Sequence, residues 1–583
     1  MDVQFQLDCR LSSPLAQEAA RIATERIGEI KRRTKTVTPL LLAFAEIDTE
    51  GYVLEISTAN EVQIGAKLTR NFIAGLGELL HRLLAAIDQA SEGVEGDRTE
   101  VVLRAGKWDY QPSIRERIHY MPGHFGNSFE VCSKPEMFRY LEDLALSGAS
   151  GYGDWFDPND MPDPYHSHVF HSSSMFLWRR KKEWLSYSQR LGLDNVLVVC
   201  PNIGYVDQMR PEWVGVRNHS LRVQGQVLCP SNPDARKVIL DNHHRLMEDV
   251  SQSGIELLKI VCAPYDDGGC ACPDCQPYYP VFLKLVQDVY ATASRWYPNI
   301  KASICGWWTS EEESQQLREL VSGPARQWFD SFLYSASYGV FELPRDLRTR
   351  VGEMELGSFV HIGFSHDRTD VYTKTGIHSA SRRIQSVFRS FAAQGCNQFM
   401  TYNESFGDHF NAFAAGLLGW NPNRDIREIA EFYCRLLFRI YGEPLRKLVD
   451  VLLDMEMLDE SRAVNWRDTL REIEAEVKTH EWQEWAFAQI RLKAELMHLD
   501  HVIAEKLEER TELAMPYMEE RLNLTERLWR RYYGFGVWRR YYGFGVLRHI
   551  LIPDRMLPSW YQVYRENQSI SGKIKSGFMD EDA

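Results

Sequence analysis

The sequence predicts an α/β protein: a (β/α)8 TIM barrel, preceded by a small α+β domain and followed by an all-helical C-terminal region. Three observations carry that prediction. Strand-like apolar runs alternate with helical periodicity eight times between residues 113 and 422. Before residue 113 the order is β-α-β-β-β-α-β, and after residue 422 the pattern is helical throughout. The 583 residues are also too many for one ordinary domain. Domains are therefore expected at 1–112, 113–422 and 423–583.

In the first region, residues 3–9 alternate as a strand and 13–33 form an amphipathic helix with Ser13 as its cap. Short strands are expected at 40–47, 51–57 and 61–66, with a turn at 48–51. Residues 68–89 have helical spacing, and 101–104 resume as a strand. The sheet is expected to lean antiparallel, with its helices on one face.

The barrel strands are expected at 115–120, 149–156, 195–201, 255–262, 300–307, 331–335, 359–364 and 398–402. Their helices are expected at 134–147, 175–191, 234–253, 279–297, 311–321, near 344–351, 380–394 and 410–420. A doubly wound open sheet is the alternative, but it rarely uses so many units. Beyond the barrel, helices are expected at 425–441, 444–457, 466–479 and 481–510. Residues 529–537 (WRRYYGFGV) recur unchanged at 538–546. Nine residues are two and a half helical turns, so the copies would face opposite sides of a helix. The repeat reads best as a local duplication tolerated at the surface.

Charge and composition narrow the function. With 67 basic and 81 acidic residues the net charge is −14, which disfavours nucleic acid and anionic membranes as partners. No apolar run is long enough to span a bilayer. The start lacks a basic stretch followed by an apolar run, and the 11 cysteines are odd in number and scattered. A cytoplasmic protein with reduced thiols is expected. Homo-oligomerisation is left open.

A barrel of this kind keeps its chemistry at the C-terminal ends of its strands. Residues expected there are His119 after strand 1, Asp154 and Trp155 after strand 2, and Asn202 after strand 3, while Arg117 on strand 1 could bind a sugar hydroxyl or equally pair with a buried acid. Tyr265, Asp266 and Asp267 follow strand 4, Trp307 and Trp308 follow strand 5, and His366 follows strand 7. Tyr402, Asn403, Glu404 and Asp408 follow strand 8. Carboxylates, amides and aromatic faces around one mouth suit a polyhydroxylated ligand, so an oligosaccharide or glycoconjugate is the expected partner. Asp266-Asp-Gly-Gly269 alone would be an ordinary acidic turn. Its place after a buried strand favours function. Cys270, Cys272 and Cys275 are weak metal candidates, because zinc would need a fourth group such as a histidine from the strand 2 loop. Packed, reduced cysteines are the favoured account, and no metal or cofactor is expected.

On these residues the chain resembles glycoside hydrolases with a small α+β domain ahead of a (β/α)8 barrel, such as family 20 β-hexosaminidases and family 67 α-glucuronidases. Gly51-Tyr-Val-Leu-Glu-Ile-Ser57, Val62-Gln-Ile-Gly65 and Gly75-Leu-Gly-Glu-Leu-Leu80 resemble their N-terminal domain. Family 20 has Asp-Glu after strand 4. Here it is Asp266-Asp267, as in family 84. The pocket type suggests exo action on a terminal residue, and the resemblance favours an N-acetylhexosaminide. In substrate-assisted retention Asp266 would polarise the acetamide and Asp267 would protonate the leaving oxygen. Adjacent carboxylates raise one pKa, as an acid near neutral pH requires. Glu404 would hold sugar hydroxyls. The alternatives are an inverting or uronic-acid-type glycosidase using Asp267 and Glu404, a zinc-dependent barrel hydrolase, and a non-catalytic carbohydrate-binding protein.

Overall fold

The computed structural model describes residues 4–30, 37–57, 60–92, 101–123, 127–156, 162–165, 173–216, 227–264, 269–306, 309–336, 343–362, 377, 379–403, 405–457, 459–479 and 484–532. The N-terminal strands are β1 (Gln4–Leu11), β2 (Val37–Glu46), β3 (Tyr52–Ile56), β4 (Glu61–Ala66) and β5 (Gly106–Tyr110). They form one sheet in the order β1-β2-β4-β3-β5. In β4, exposed Glu61 and Gln63 alternate with buried Val62 and Ile64, as a strand with one covered face must. The helix Thr69–Glu92 covers that face, burying Phe72, Ile73, Leu76 and Leu80.

Two details differ from the sequence-based expectation. The sheet is mixed, because β1–β2 and β2–β4 pair in parallel while β3–β4 and β3–β5 are antiparallel. The last strand is Gly106–Tyr110, not 101–104. Val101 and Leu103 are buried as expected of a strand, but their backbone is held by the Asn60 side chain, through Leu103 N to Oδ1 at 3.2 Å and Nδ2 to Val101 O at 3.5 Å. Apolar alternation reported burial there, not ladder pairing.

The barrel strands are β6 (Glu116–Tyr120), β7 (Gly151–Trp155), β8 (Asp194–Val199), β9 (Lys259–Cys262), β10 (Lys301–Cys305), β11 (Phe329–Ala336), β12 (Leu356–His361) and β13 (Gln398–Tyr402). They close in the order β10-β11-β12-β13-β6-β7-β8-β9, and every neighbouring pair is parallel. The barrel is therefore complete, with β6 and β13 meeting at the seam. Three of the connecting helices begin on side-chain caps, with Asn232 capping Pro233–Gln252. Ser133 and Glu136 form a reciprocal capping box at the helix Lys134–Leu146, and Ser310 and Glu313 repeat it at Glu311–Val321.

Helices Ile426–Phe438, Gly442–Asp454, Ala463–Ile473, Glu484–Glu509 and Thr511–Tyr532 follow the barrel. They also reach back to the N-terminal domain. Arg435 pairs with Asp88 at 2.7 Å, Arg424 with Glu78 at 3.4 Å and Arg439 with Glu29 at 2.6 Å. Between the N-terminal domain and the barrel, Gly77 packs against helix Lys134–Leu146 so closely that a Cβ would lie 1.9 Å from the Leu146 carbonyl oxygen. Among the described residues no helix is long and apolar enough to cross a membrane. Most of the WRRYYGFGV repeat lies outside the described residues.

Candidate active site

Successive side chains on a barrel strand point alternately into the barrel and toward the helices. On β6, Ile118 and Tyr120 point inward and join the interior cluster with Val196, Val261, Leu333 and Met400. The interior is layered. At its N-terminal end Lys259, only 2% exposed, donates to Glu116 at 2.6 Å, Asp330 at 2.5 Å and Gln398 at 3.1 Å. Aliphatic side chains fill the middle. At the C-terminal end the wall turns aromatic, with Tyr120, Trp155, Phe359, His361 and Tyr402. The Tyr402 ring centroid lies 4.7 Å from His361, 5.6 Å from Tyr120 and 5.8 Å from Phe359.

The structure distributes the expected site residues over several roles. Trp155 and Tyr402 belong to the aromatic wall of the mouth. Asn403 follows Tyr402 and is fully buried. Its Nδ2 donates to the Tyr120 carbonyl at 2.8 Å, and its backbone N donates to the same oxygen at 2.9 Å, so it staples the seam. Asp154 alternates with inward-facing Trp155 on β7, so it points to the helix layer and not into the mouth. It accepts from Tyr152 Oη at 3.0 Å and Trp155 N at 2.7 Å, and pairs with buried Lys181 at 3.3 Å. Asn202 donates to the Leu228 carbonyl at 3.0 Å and accepts from Tyr278 Oη at 3.2 Å. Asp408 stands at the N-terminus of helix His409–Trp420 and accepts from Ser405 N at 3.3 Å.

Arg117 and His119 do not reach the mouth. Both alternate with the inward residues of β6 and point to the helix layer. The Arg117 guanidinium donates to the carbonyls of Gly148, Ile114 and Arg115 at 2.7, 2.7 and 2.8 Å, and lies over the Trp420 ring. His119 Nδ1 is 2.9 Å from Thr401 Oγ1, and burial pushes its pKa down to about 3.

Tyr265, Asp266, Asp267, Trp307, Trp308, His366 and Glu404 lie outside the described residues. Ahead of Asp266 and Asp267 the chain leaves β9 at Cys262 and Ala263 N donates to Val199 O at 3.1 Å. β9 and β13 stand opposite each other, with three strands between them either way round.

Two residues with site chemistry escaped the sequence. His361 ends β12 beside Tyr402. With strand 7 expected at 359–364, it read as mid-strand. Cys229, after β8, joins Cys270, Cys272 and Cys275 in one cluster whose Sγ atoms all lie within 4.8 Å of one another. That group could hold a metal ion. No short motif links Cys229 to the others, so only the fold could reveal it.

No family model matches the sequence, and no curated protein matches it. Solved structures do match. The chain is similar to a family GH115 4-O-methyl-α-glucuronidase with specificity for decorated arabinogalactans, at TM-score 0.60 and 10% identity over 94% of this chain and 79% of that one. It is similar to CpGH84D at TM-score 0.51 and 11% identity, over 94% of this chain and 96% of that one. It is similar to CpGH89 from Clostridium perfringens, solved with its substrate GlcNAc-α-1,4-galactose, at TM-score 0.56 and 11% identity, over 88% and 66%. The chain thus shares its architecture with glycoside hydrolases of several families.

Proposed function

We propose that this chain is an O-glycosyl hydrolase acting on a terminal sugar at the C-terminal mouth of the barrel. The observation that carries the proposal is the closed parallel barrel whose mouth is walled by Tyr120, Trp155, Phe359, His361 and Tyr402. Aromatic faces suit the apolar C–H face of a sugar ring. The acidic residues Asp266-Asp267 and Glu404 follow the opposed strands β9 and β13 in sequence. Fold-sharing proteins that act on a glucuronide and on a GlcNAc glycoside support the same class of substrate.

Within that class the favoured mechanism is substrate-assisted and retaining, on an N-acetylhexosaminide. Asp266 orients and polarises the acetamide, whose oxygen attacks the anomeric carbon. Asp267 gives its proton to the departing glycosidic oxygen. Water then opens the cyclic intermediate, with Asp267 taking a proton back. Glu404 holds sugar hydroxyls. The opposition of β9 and β13 favours a second reading, in which Asp267 and Glu404 act across the mouth as acid and base on a uronic acid or another sugar. A wide separation, roughly 6.5–9.5 Å, leaves room for the water of an inverting reaction.

A panel of aryl glycosides that includes N-acetylhexosaminides and glucuronides tests the proposal, with the product anomer followed by NMR. Retention on an N-acetylhexosaminide supports the first mechanism, and inversion rules it out. Asp267→Asn should lower kcat by about 10²–10⁴, the usual worth of a positioned acid. Full activity in that variant would remove Asp267 from the mechanism. Binding of sugars with no turnover of any glycoside would leave a carbohydrate-binding protein.

A further inference from the structure

We propose that Cys229, Cys270, Cys272 and Cys275 hold one zinc ion, and that this ion is a structural clip between the loops that follow β8 and β9. The spacing is that of a metal site. Cys229 Sγ is 3.7 Å from both Cys272 Sγ and Cys275 Sγ. A disulfide would need about 2.05 Å. Four thiolates around zinc at about 2.3 Å make a tetrahedron with edges of about 3.8 Å. The four sulfurs are thus already close to the positions the ion requires. Cysteines elsewhere in the described residues form no such group.

The backbone around the cluster is built to hold it. Cys272-Pro-Asp-Cys275 turns as a short 3-10 helix, with Cys275 N donating to Cys272 O at 2.9 Å. Ala271 N donates to Val216 O at 2.7 Å, and Cys229 N donates to Trp213 O at 2.8 Å, so both loops are fixed to one small ladder. Gln276 Nε2 holds the Cys270 carbonyl at 2.7 Å. Ser231 Oγ donates to the Asp274 carbonyl at 3.0 Å and lies 3.0 Å from Cys275 Sγ, which ties the Cys229 loop to the Cys272–Cys275 turn. Cys270 and Cys275 are fully buried, which shields a metal–sulfur bond from water.

Ligand type decides the ion and its role. Thiolates select soft or borderline metals, and a four-thiolate tetrahedron is a structural zinc set. With four protein ligands no coordination position is left for water or substrate. The ion would therefore hold a loop and perform no hydrolysis itself, unlike the metal of a zinc-dependent hydrolase. What it holds is the loop from Gly269 to Cys275, which in sequence directly follows Asp266 and Asp267.

Metal analysis of the full chain, purified under reducing conditions without chelator, tests the proposal. One zinc per chain is expected. Replacing zinc with cobalt(II) should give the intense visible bands and sulfur-to-metal charge transfer of a tetrahedral thiolate site. Cys229→Ser and Cys272→Ser should each lower zinc retention against a competing chelator by at least tenfold. Cys9→Ser, in the N-terminal domain, should leave it unchanged. A reduced parent that neither contains zinc nor takes up cobalt would overturn the proposal, even if the serine variants fail to fold. So would one iron per chain, or zinc retained in full by both serine variants. None of these readouts needs turnover, so the clip stands or falls apart from the glycosidase reading.

Discussion

Lys259 places a charge in the floor of the barrel, where Glu116 and Asp330 neutralise it and Gln398 completes its hydrogen bonds. Removing the cation while leaving two carboxylates beneath the barrel should cost far more than the pair contributes net. Lys259→Met is expected to destabilise the fold by about 3–5 kcal/mol in urea unfolding. His119 makes the opposite demand, because burial keeps it neutral and pushes its pKa to about 3 from the usual 6.5. Its folded pKa is depressed, so its contribution is complete above pH 6.5 and is lost as pH falls toward 3. Between those limits the unfolded chain binds one more proton, a slope of about 1.4 kcal/mol per pH unit. His119→Asn should remove one proton from the slope of stability between pH 4 and 6. The parity that turns Arg117 and His119 away from the mouth was present in the sequence, since they alternate with apolar Ile118. Their chemistry drew attention ahead of that alternation. His361 was hidden by an error of a few residues in the end of its strand, which moved it from the rim to mid-strand.

At the scale of elements, the strand-and-helix count was legible because each unit repeats the same exchange of a short apolar run, buried on both faces, for a helical period. The pairing of β1, β2 and β4 was not legible, because one covered face reads alike in parallel and antiparallel sheets. The strand wrongly expected at 101–104 shows the same limit: burial is written in the sequence, and the partner that takes the backbone hydrogen bonds is not. Close helix contacts lie between the two cases. Gly75-Leu-Gly-Glu-Leu-Leu80 carries Gly77 to the Leu146 carbonyl, and no side chain fits between them. Gly77→Ala is expected to push the helices Thr69–Glu92 and Lys134–Leu146 apart and cost about 1–3 kcal/mol. Thermal unfolding against Gly75→Ala, whose added carbon meets side chains of Ile64 and Tyr52 and not backbone, separates a clash with backbone from one with side chains.

For the whole molecule, the C-terminal helices and the N-terminal domain touch directly as well as packing on the barrel, through Arg435–Asp88, Arg424–Glu78 and Arg439–Glu29. Glu78 faces Arg424, Arg82 and His81. Burial alone would raise its pKa, but these partners outweigh burial and hold it at about 2. Asp143, beside Arg26 and His409, is likewise held at about 2 against burial. Both folded values lie below the unfolded ones, so this stability is present above about pH 4.5 and is lost as pH falls toward 2. Acid unfolding followed by fluorescence and by circular dichroism should give coincident transitions, with all three regions melting together. A separate early transition would show that the domains part first.

The seam between β6 and β13 has a consequence for the growing chain. Asn403 meets the carbonyl of Tyr120 across 283 residues of sequence. A ribosome must therefore deliver nearly the whole barrel before its first strand finds a partner on that side. Until then β6 presents an open edge, the template on which sheets of different molecules join. Closing so long a loop is slow. Refolding from denaturant should accordingly lose yield steeply as protein concentration rises, while synthesis on well-separated ribosomes escapes that competition.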